Sequence, residues 1–308
     1  MKITIILFSP SGSSKVVTQG IIALLESKHH DVNLLDITGD DAFFNRINLQ
    51  EYLAQRVTPH DVLLVGGPVY AHHMQYHVLD LIKSLPKPND TWGKLAIPYV
   101  TYGGISSGVA LKESRKFLRE TGRIVPLAMK IVAPHRMTRA FMSEEFNNDK
   151  LKGEQLGDIE ELVYRIGLLN PEGKVKDAGR SLHYNGIVTT MLAKTVFIEK
   201  IWHEKRYPRV VIDQDTCTGC GKCTKGCPVN HLRMKGKTIM LNAQSDCIHC
   251  LNCVLNCPSK AVSLQGDLEK GRAFMSNMIA KKGNRETPGS AVYPLSKKTP
   301  VQTICPIL

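Results

Sequence analysis

Eight of the chain's nine cysteines stand in two copies of one pattern, and no other feature restricts the fold so tightly. The first copy reads Cys217-Thr-Gly-Cys220-Gly-Lys-Cys223-Thr-Lys-Gly-Cys227-Pro228. The second, thirty residues on, reads Cys247-Ile-His-Cys250-Leu-Asn-Cys253-Val-Leu-Asn-Cys257-Pro258. Three thiolates on one tight turn can hold three iron corners of a cubane, while the fourth, before proline, points toward a neighbouring cluster. Soft thiolates suit iron–sulfur clusters and lose their protons to the metal. Residues 1–216 hold no cysteine and show no secretory signal, so this clustering speaks for metal rather than disulfides. Zinc needs four ligands per site and leaves a third cysteine and a Cys-Pro ending unexplained, twice. Cys305, outside the repeat, reads as a buried or merely free thiol.

The two runs resemble the two-cluster bacterial-type ferredoxin, over roughly residues 209–265. That resemblance implies a small α+β ferredoxin-like domain with two 4Fe–4S clusters. It gives Cys217, Cys220, Cys223 and Cys257 to one cluster and Cys247, Cys250, Cys253 and Cys227 to the other. Short strands are expected at 209–212 and 238–242, with a helical turn after each proline.

The formal net charge is +12, and residues 203–308 hold 16 Lys/Arg against 7 Asp/Glu. Two clusters of about −2 each offset much of that excess, so a nucleic-acid partner is not expected. The apolar run from Ile3 to Phe8 falls far short of the ~20 residues that cross a bilayer. No membrane span and a cytoplasmic location are the expectation.

Residues 1–135 alternate strand-like and helix-like segments. Strands are expected at 2–9, 31–37, 61–66, 95–101 and 124–132, with helices near 14–28, 41–57, 75–85 and 107–121. This alternation argues a doubly wound parallel five-stranded sheet, with ligands at the C-terminal strand edges. Three loops there have unusual chemistry. The first, Ser9-Pro-Ser-Gly-Ser-Ser14, opens a helix with small hydroxyl residues and makes a phosphate cradle. The others are Gly66-Gly-Pro-Val-Tyr70-Ala-His-His-Met74 and Thr101-Tyr-Gly-Gly104, where Gly permits close approach and Tyr70 or Tyr102 offers an aromatic face.

Together the loops resemble flavodoxin, through S-x-[ST]-G-x-[ST], G-x-P-x-Y and T-Y-G-G. The resemblance implies FMN, its phosphate at Ser9, Ser11, Gly12, Ser13 and Ser14. The ring would lie between Pro68, Val69, Tyr70, Ala71 and His72 on one side and Thr101, Tyr102, Gly103 and Gly104 on the other. The whole chain resembles the flavodoxin–ferredoxin fusion family of anaerobic prokaryotes, with Cys227-Pro-Val-Asn230 and the Pro134 turn in support. It departs from short flavodoxins in its near-neutral first half and in His72, His73 and His77.

The expected organisation is a flavodoxin-like FMN domain (1–135), a helical connector (136–205), a two-cluster ferredoxin-like domain (206–265) and a basic tail (266–308). In the connector, Ile187, Met191, Ile198, Ile201 and Trp202 form a stripe expected to be buried. The implied function is electron transfer between FMN, the clusters and an external redox protein or small molecule. The alternative is a flavin-dependent reductase of a small organic substrate, with His72 or His73 at the ring. No nucleophile–base or paired-carboxylate motif assigns a catalytic residue, and no G-x-G-x-x-G follows a strand, so direct NAD(P)H oxidation has no support.

Overall fold

The computed structural model describes residues 1–45, 48–151, 156–199, 202, 207–243 and 245–295. The first half runs β1 (Lys2–Leu7), α1 (Ser13–Ser27), β2 (Asp31–Asp36), α2 (Asp41–Phe44), α3 (Leu49–Arg56), β3 (His60–Tyr70), β4 (His73–Met74), α4 (Tyr76–Lys83), β5 (Trp92–Tyr102), α5 (Ala110–Glu120) and β6 (Ala128–Val132). The parallel strands lie in the order β2-β1-β3-β5-β6. Counting only these five gives 2-1-3-4-5, the flavodoxin-like order, whose switch point falls between β1 and β3.

Strand alternation explains why the sheet is buried on both faces. Along β1, Ile3 and Ile5 join α1 in one apolar core, while Ile6 and the following Phe8 join Phe43, Leu53, Val78 and Leu111 in the other. A strand covered on both faces reads as a continuous apolar run, as KITIIL does. Two expected elements came out differently. The helix over 41–57 is two helices, because Asp40 and Asn48 each cap a new start by accepting backbone N–H bonds. The last parallel strand begins at Ala128, not 124, since Pro126 has no N–H for the ladder and only Ile124 bridges Leu95.

The connector supplies α6 (Leu156–Gly167), which packs on α1, and α7 (Ile187–Thr195). The expected buried stripe is not buried: Ile187 is 80% and Met191 62% exposed. Ile201 lies outside the described residues. The cluster module is built of β7 (Arg209–Ile212), α8 (Lys222–Lys225), β8 (Leu232–Lys235), β9 (Thr238–Leu241), α9 (Asn252–Leu255) and β10 (Val262–Gln265). Strands β7 and β10 pair antiparallel, as do β8 and β9. Its backbone repeats like its sequence. Left-handed φ values recur thirty residues apart, at Gly219 and His249, Gly221 and Leu251, and Asn230 and Lys260.

The tail is part of the fold. Helix α10 (Leu268–Lys282) leads to β11 (Ala291–Tyr293), which pairs antiparallel with β6. It adds a sixth main strand and covers what would be an open sheet edge. Glu286 bonds both Ser107 and the Lys130 ammonium, and Tyr102 donates to the Gly289 carbonyl at 2.8 Å. Among the described residues, no helix is long and apolar enough to cross a membrane.

Candidate functional site: a cluster module set against a cleft

Each cysteine run wraps a tight loop with a one-turn helix, α8 or α9, started by a left-handed residue and lying before its proline rather than after it as expected. This conformation turns successive amides inward, the arrangement that suits an anionic cluster. All eight cysteines are free thiols. Their electrostatic neighbours come from both runs. Burial raises the Cys247, Cys250 and Cys253 thiols, Cys253 to about 12, and Cys227 from the other run raises all three further. Burial likewise raises Cys223, with Cys217 and Cys257 adding to it. Cys223 also acts on Cys253, so the two runs lie close enough to share ligands. Thiols pushed up in this way stay protonated until a metal displaces the proton. Among the described residues no group of three His, Cys, Asp or Glu could hold a single metal ion. Zinc would draw its sulfurs to about 3.8 Å apart, whereas a cubane takes each thiolate on a different iron.

The module docks at the switch-point edge of the sheet. The Asn252 amide, between Cys250 and Cys253, donates to the Pro10 carbonyl of loop one at 2.7 Å and to Gly226 at 3.2 Å. Gly39 N–H donates to Pro228 at 2.8 Å, and Asn230 donates to Asp41 at 2.8 Å. Cys227, Val229, Ile248 and Cys250 pack into the sheet's own apolar core.

A cleft of about 1070 Å³, its open mouth included, lies between the two modules. Of the residues expected to bind flavin, Ser11, Ser13, Pro68, Val69, Tyr70, Ala71, His72, Thr101, Tyr102 and Gly103 all line it. Ser9 and Gly12 line a second, more polar cavity of about 710 Å³ that shares Ser11 and Arg136 with the first. Ser14 and Gly104 line neither. Ser14 is buried and its hydroxyl bonds Thr101 at 2.7 Å, tying loop one to loop three. Ser9 Oγ accepts the Lys15 N–H at 2.8 Å. Gly104 accepts the Asn284 N–H at 2.7 Å, tying loop three to the tail.

Loop one keeps the helix start open. Its cap residue, Gly12, makes no side-chain bond and has φ 87. Among the described residues the N–H groups of Ser11, Ser13 and Ser14 have no partner. Loop two is a hairpin in which Val69 pairs with Met74 and Tyr70 with His73. Its turn residues, Ala71 (φ 44) and His72 (φ 73), both adopt the left-handed conformation that favours glycine. Gly108 holds this turn in place, since a Cβ there would stand 2.1 Å from the His72 carbonyl oxygen.

The aromatic and histidine residues divide in role. Tyr70 faces the cleft, where burial and then the nearby Cys250 sulfur raise its pKa. The Tyr102 ring turns toward Lys130, whose ammonium lies 5.7 Å from its centroid. His72 lines the cleft, stacks on Phe197 at 4.2 Å, and leaves Nδ1 without a partner among the described residues. Burial, with Lys282 adding to it, lowers its pKa to about 4, so it is neutral near pH 7 and supplies no cation. His73 points elsewhere, bonding Glu113 at 2.9 Å and the Ala193 carbonyl at 3.0 Å. Burial opposes its charge, yet the Glu113 contact wins and its pKa is raised. His77 sits among Phe8, Phe43, Phe44 and Tyr76.

Four aromatic residues, Phe197, Trp202, Tyr207 and Phe274, also form the cleft wall; of these the sequence singled out only Trp202, as part of the apolar stripe. Phe197 and Trp202 stack at 5.1 Å, and Trp202 stands 5.9 Å from both Tyr207 and Phe274. Cys250 and His249 complete that wall from the cluster side.

Residues 209–258 match the family model of the 4Fe-4S dicluster domain. Over 60 residues the chain is 42% identical to a ferredoxin of Pyrobaculum islandicum, covering 19% of this chain and 54% of that one. Over 58 residues it is 33% identical to a ferredoxin of Methanothermococcus thermolithotrophicus, covering 18% and 97%. The chain thus spans about half the length of the first relative and nearly all of the second. A flavodoxin from the domain Archaea overlaps 53% of this chain and 99% of its own, at 23% identity and a TM-score of 0.34. Strand order, rather than that overlap, identifies the N-terminal fold. Through its cysteine module the chain belongs to the two-cluster 4Fe–4S ferredoxins, and as a whole it is a fusion of that module to a flavodoxin-like domain.

Proposed function

We propose that the chain is an electron-transfer flavo-iron–sulfur protein, binding FMN in the cleft and passing electrons between it, the clusters and an external redox partner. One observation carries this reading: Cys250, which the resemblance groups with Cys247, Cys253 and Cys227 (the inner set, Cys217, Cys220, Cys223 and Cys257 being the outer), also forms part of the cleft wall. The residues present fit FMN. Loop one offers unpartnered amides at a helix start for the phosphate, and loops two and three line the cleft beside Tyr70. When bound, FMN exchanges electrons singly or in pairs, while each cluster exchanges one.

The chain's own residues do the rest. Tyr70 and Cys250 keep the inner cluster against the flavin slot. Phe197, Trp202, Tyr207 and Phe274 shield that slot from water and from large partners. Cys220, in the outer set, is exposed, so the outer cluster is the one a protein partner reaches. Placing both cofactors on one chain replaces a bimolecular encounter by a fixed short distance.

Anaerobically purified protein is expected to carry about eight iron and one FMN per chain. Brown protein with that iron but no affinity for any flavin would leave the clusters and remove the flavin half of this proposal.

A further inference from the structure

The polar second cavity has walls from both modules. On one side stand Ser11, Gly12 and Lys15 of loop one and α1. Facing them are Lys225, Cys227 and Asn252 of the cluster module, with Arg136 between the two cavities. Arg136 opens a 3-10 helix (Arg136–Ala140) directly after the Pro134 turn. Its Nη1 donates to Glu145 at 2.7 Å, which fixes the guanidinium, while its Nε is buried and has no partner among the described residues. Asn252 serves the docking rather than the anion, its amide nitrogen donating to both Pro10 and Gly226. The cavity's one acid, Asp36, is already engaged by Lys15 at 3.8 Å and by the Thr38 N–H. What remains around this one space is the Arg136 guanidinium, Lys225 and the Ser11 amide of loop one, unpartnered among the described residues. That combination suits a dianionic phosphate.

We propose that the cluster module completes the FMN phosphate site, with Arg136 and Lys225 binding the phosphate across from loop one. This rests on the FMN reading above. It also answers an electrostatic problem. Cys227 lines the same cavity, so a phosphate there lies near a cluster of about −2, and two dianions in one region repel unless cations stand between them. Because Asn252 ties the module to Pro10 of loop one, flavin binding and module docking reinforce each other.

The test compares FMN with riboflavin, which lacks the phosphate, by fluorescence quenching on full-length, cluster-loaded, flavin-stripped protein. Arg136→Gln is expected to weaken FMN about tenfold or more and riboflavin far less, and Lys225→Gln to weaken FMN about threefold with riboflavin affinity unchanged. Lys225 is exposed, so its substitution leaves the fold intact even if Arg136→Gln disturbs the Glu145 pair. Equal losses for both flavins, or no loss for either, would overturn the proposal while leaving FMN binding standing. If the parent binds neither flavin, the FMN reading itself fails.

Discussion

Replacing Cys227 and Cys250 together by alanine is expected to leave one intact cluster and about four of about eight irons per chain. The two residues come from different cysteine runs, so a reading in which each run holds its own cluster predicts damage to both. The crossed assignment that the ferredoxin resemblance implies puts them in one set, and Cys227 lies close enough to Cys247, Cys250 and Cys253 to raise each of those thiols. The matched double variant, Cys223→Ala with Cys257→Ala, should likewise retain one cluster. Cys223→Ala with Cys227→Ala, both from the first run, should retain none. Iron analysis with low-temperature EPR of the reduced protein separates these outcomes. A cluster-free Cys227/Cys250 variant beside a Cys223/Cys227 variant that keeps one cluster would refute crossed ligation. Because cluster binding is coupled to folding of such a small module, circular dichroism of each variant belongs with the iron count.

The second large effect lies at the sheet edge. Glu286→Ala is expected to destabilise the protein by about 3–5 kcal/mol, while Lys130→Met should cost little or even stabilise it. The Lys130 side chain has no exposed surface. Its ammonium lies 4.3 Å from the Tyr184 ring centroid and 6.0 Å from that of Tyr293, contacts that help hold a buried cation. Burial nevertheless lowers its pKa more than Glu286 raises it. Removing Glu286 strands that charge and frees Ser107 and the start of β11, whereas removing the lysine's charge leaves the glutamate, 11% exposed, with Ser107. Denaturant midpoints of the anaerobic, cluster-loaded variants measure the asymmetry. Equal losses would mean that the ion pair, rather than the stranded cation, decides the stability of this edge.

How far the sequence could be read depended on whether local chemistry or tertiary contact decided each element. The cysteine spacing is itself the site's geometry, so the module and its ligands were legible. The three loops were legible for a similar reason, since glycine and hydroxyl residues at strand ends have few other uses. Strand β11 was not, because three residues ending before Pro294 look like tail, and only their docking on β6 makes them a strand. Tyr102 fits the motif, but alternation along β5 and β6 puts its ring on the Lys130 face. The apolar stripe from Ile187 has helical spacing, yet nothing among the described residues covers Ile187 or Met191. Arg136 and Asn252 belong to no motif. Their unpartnered buried atoms mark them only once the two modules are together.

The coupling of a flavin slot to two clusters is tested most directly by counting electrons. Stepwise anaerobic titration of the loaded protein with dithionite should consume about four electrons per chain, two bleaching the flavin and one for each cluster. An uptake of about two electrons, with the flavin absorbance unchanged, would contradict the account.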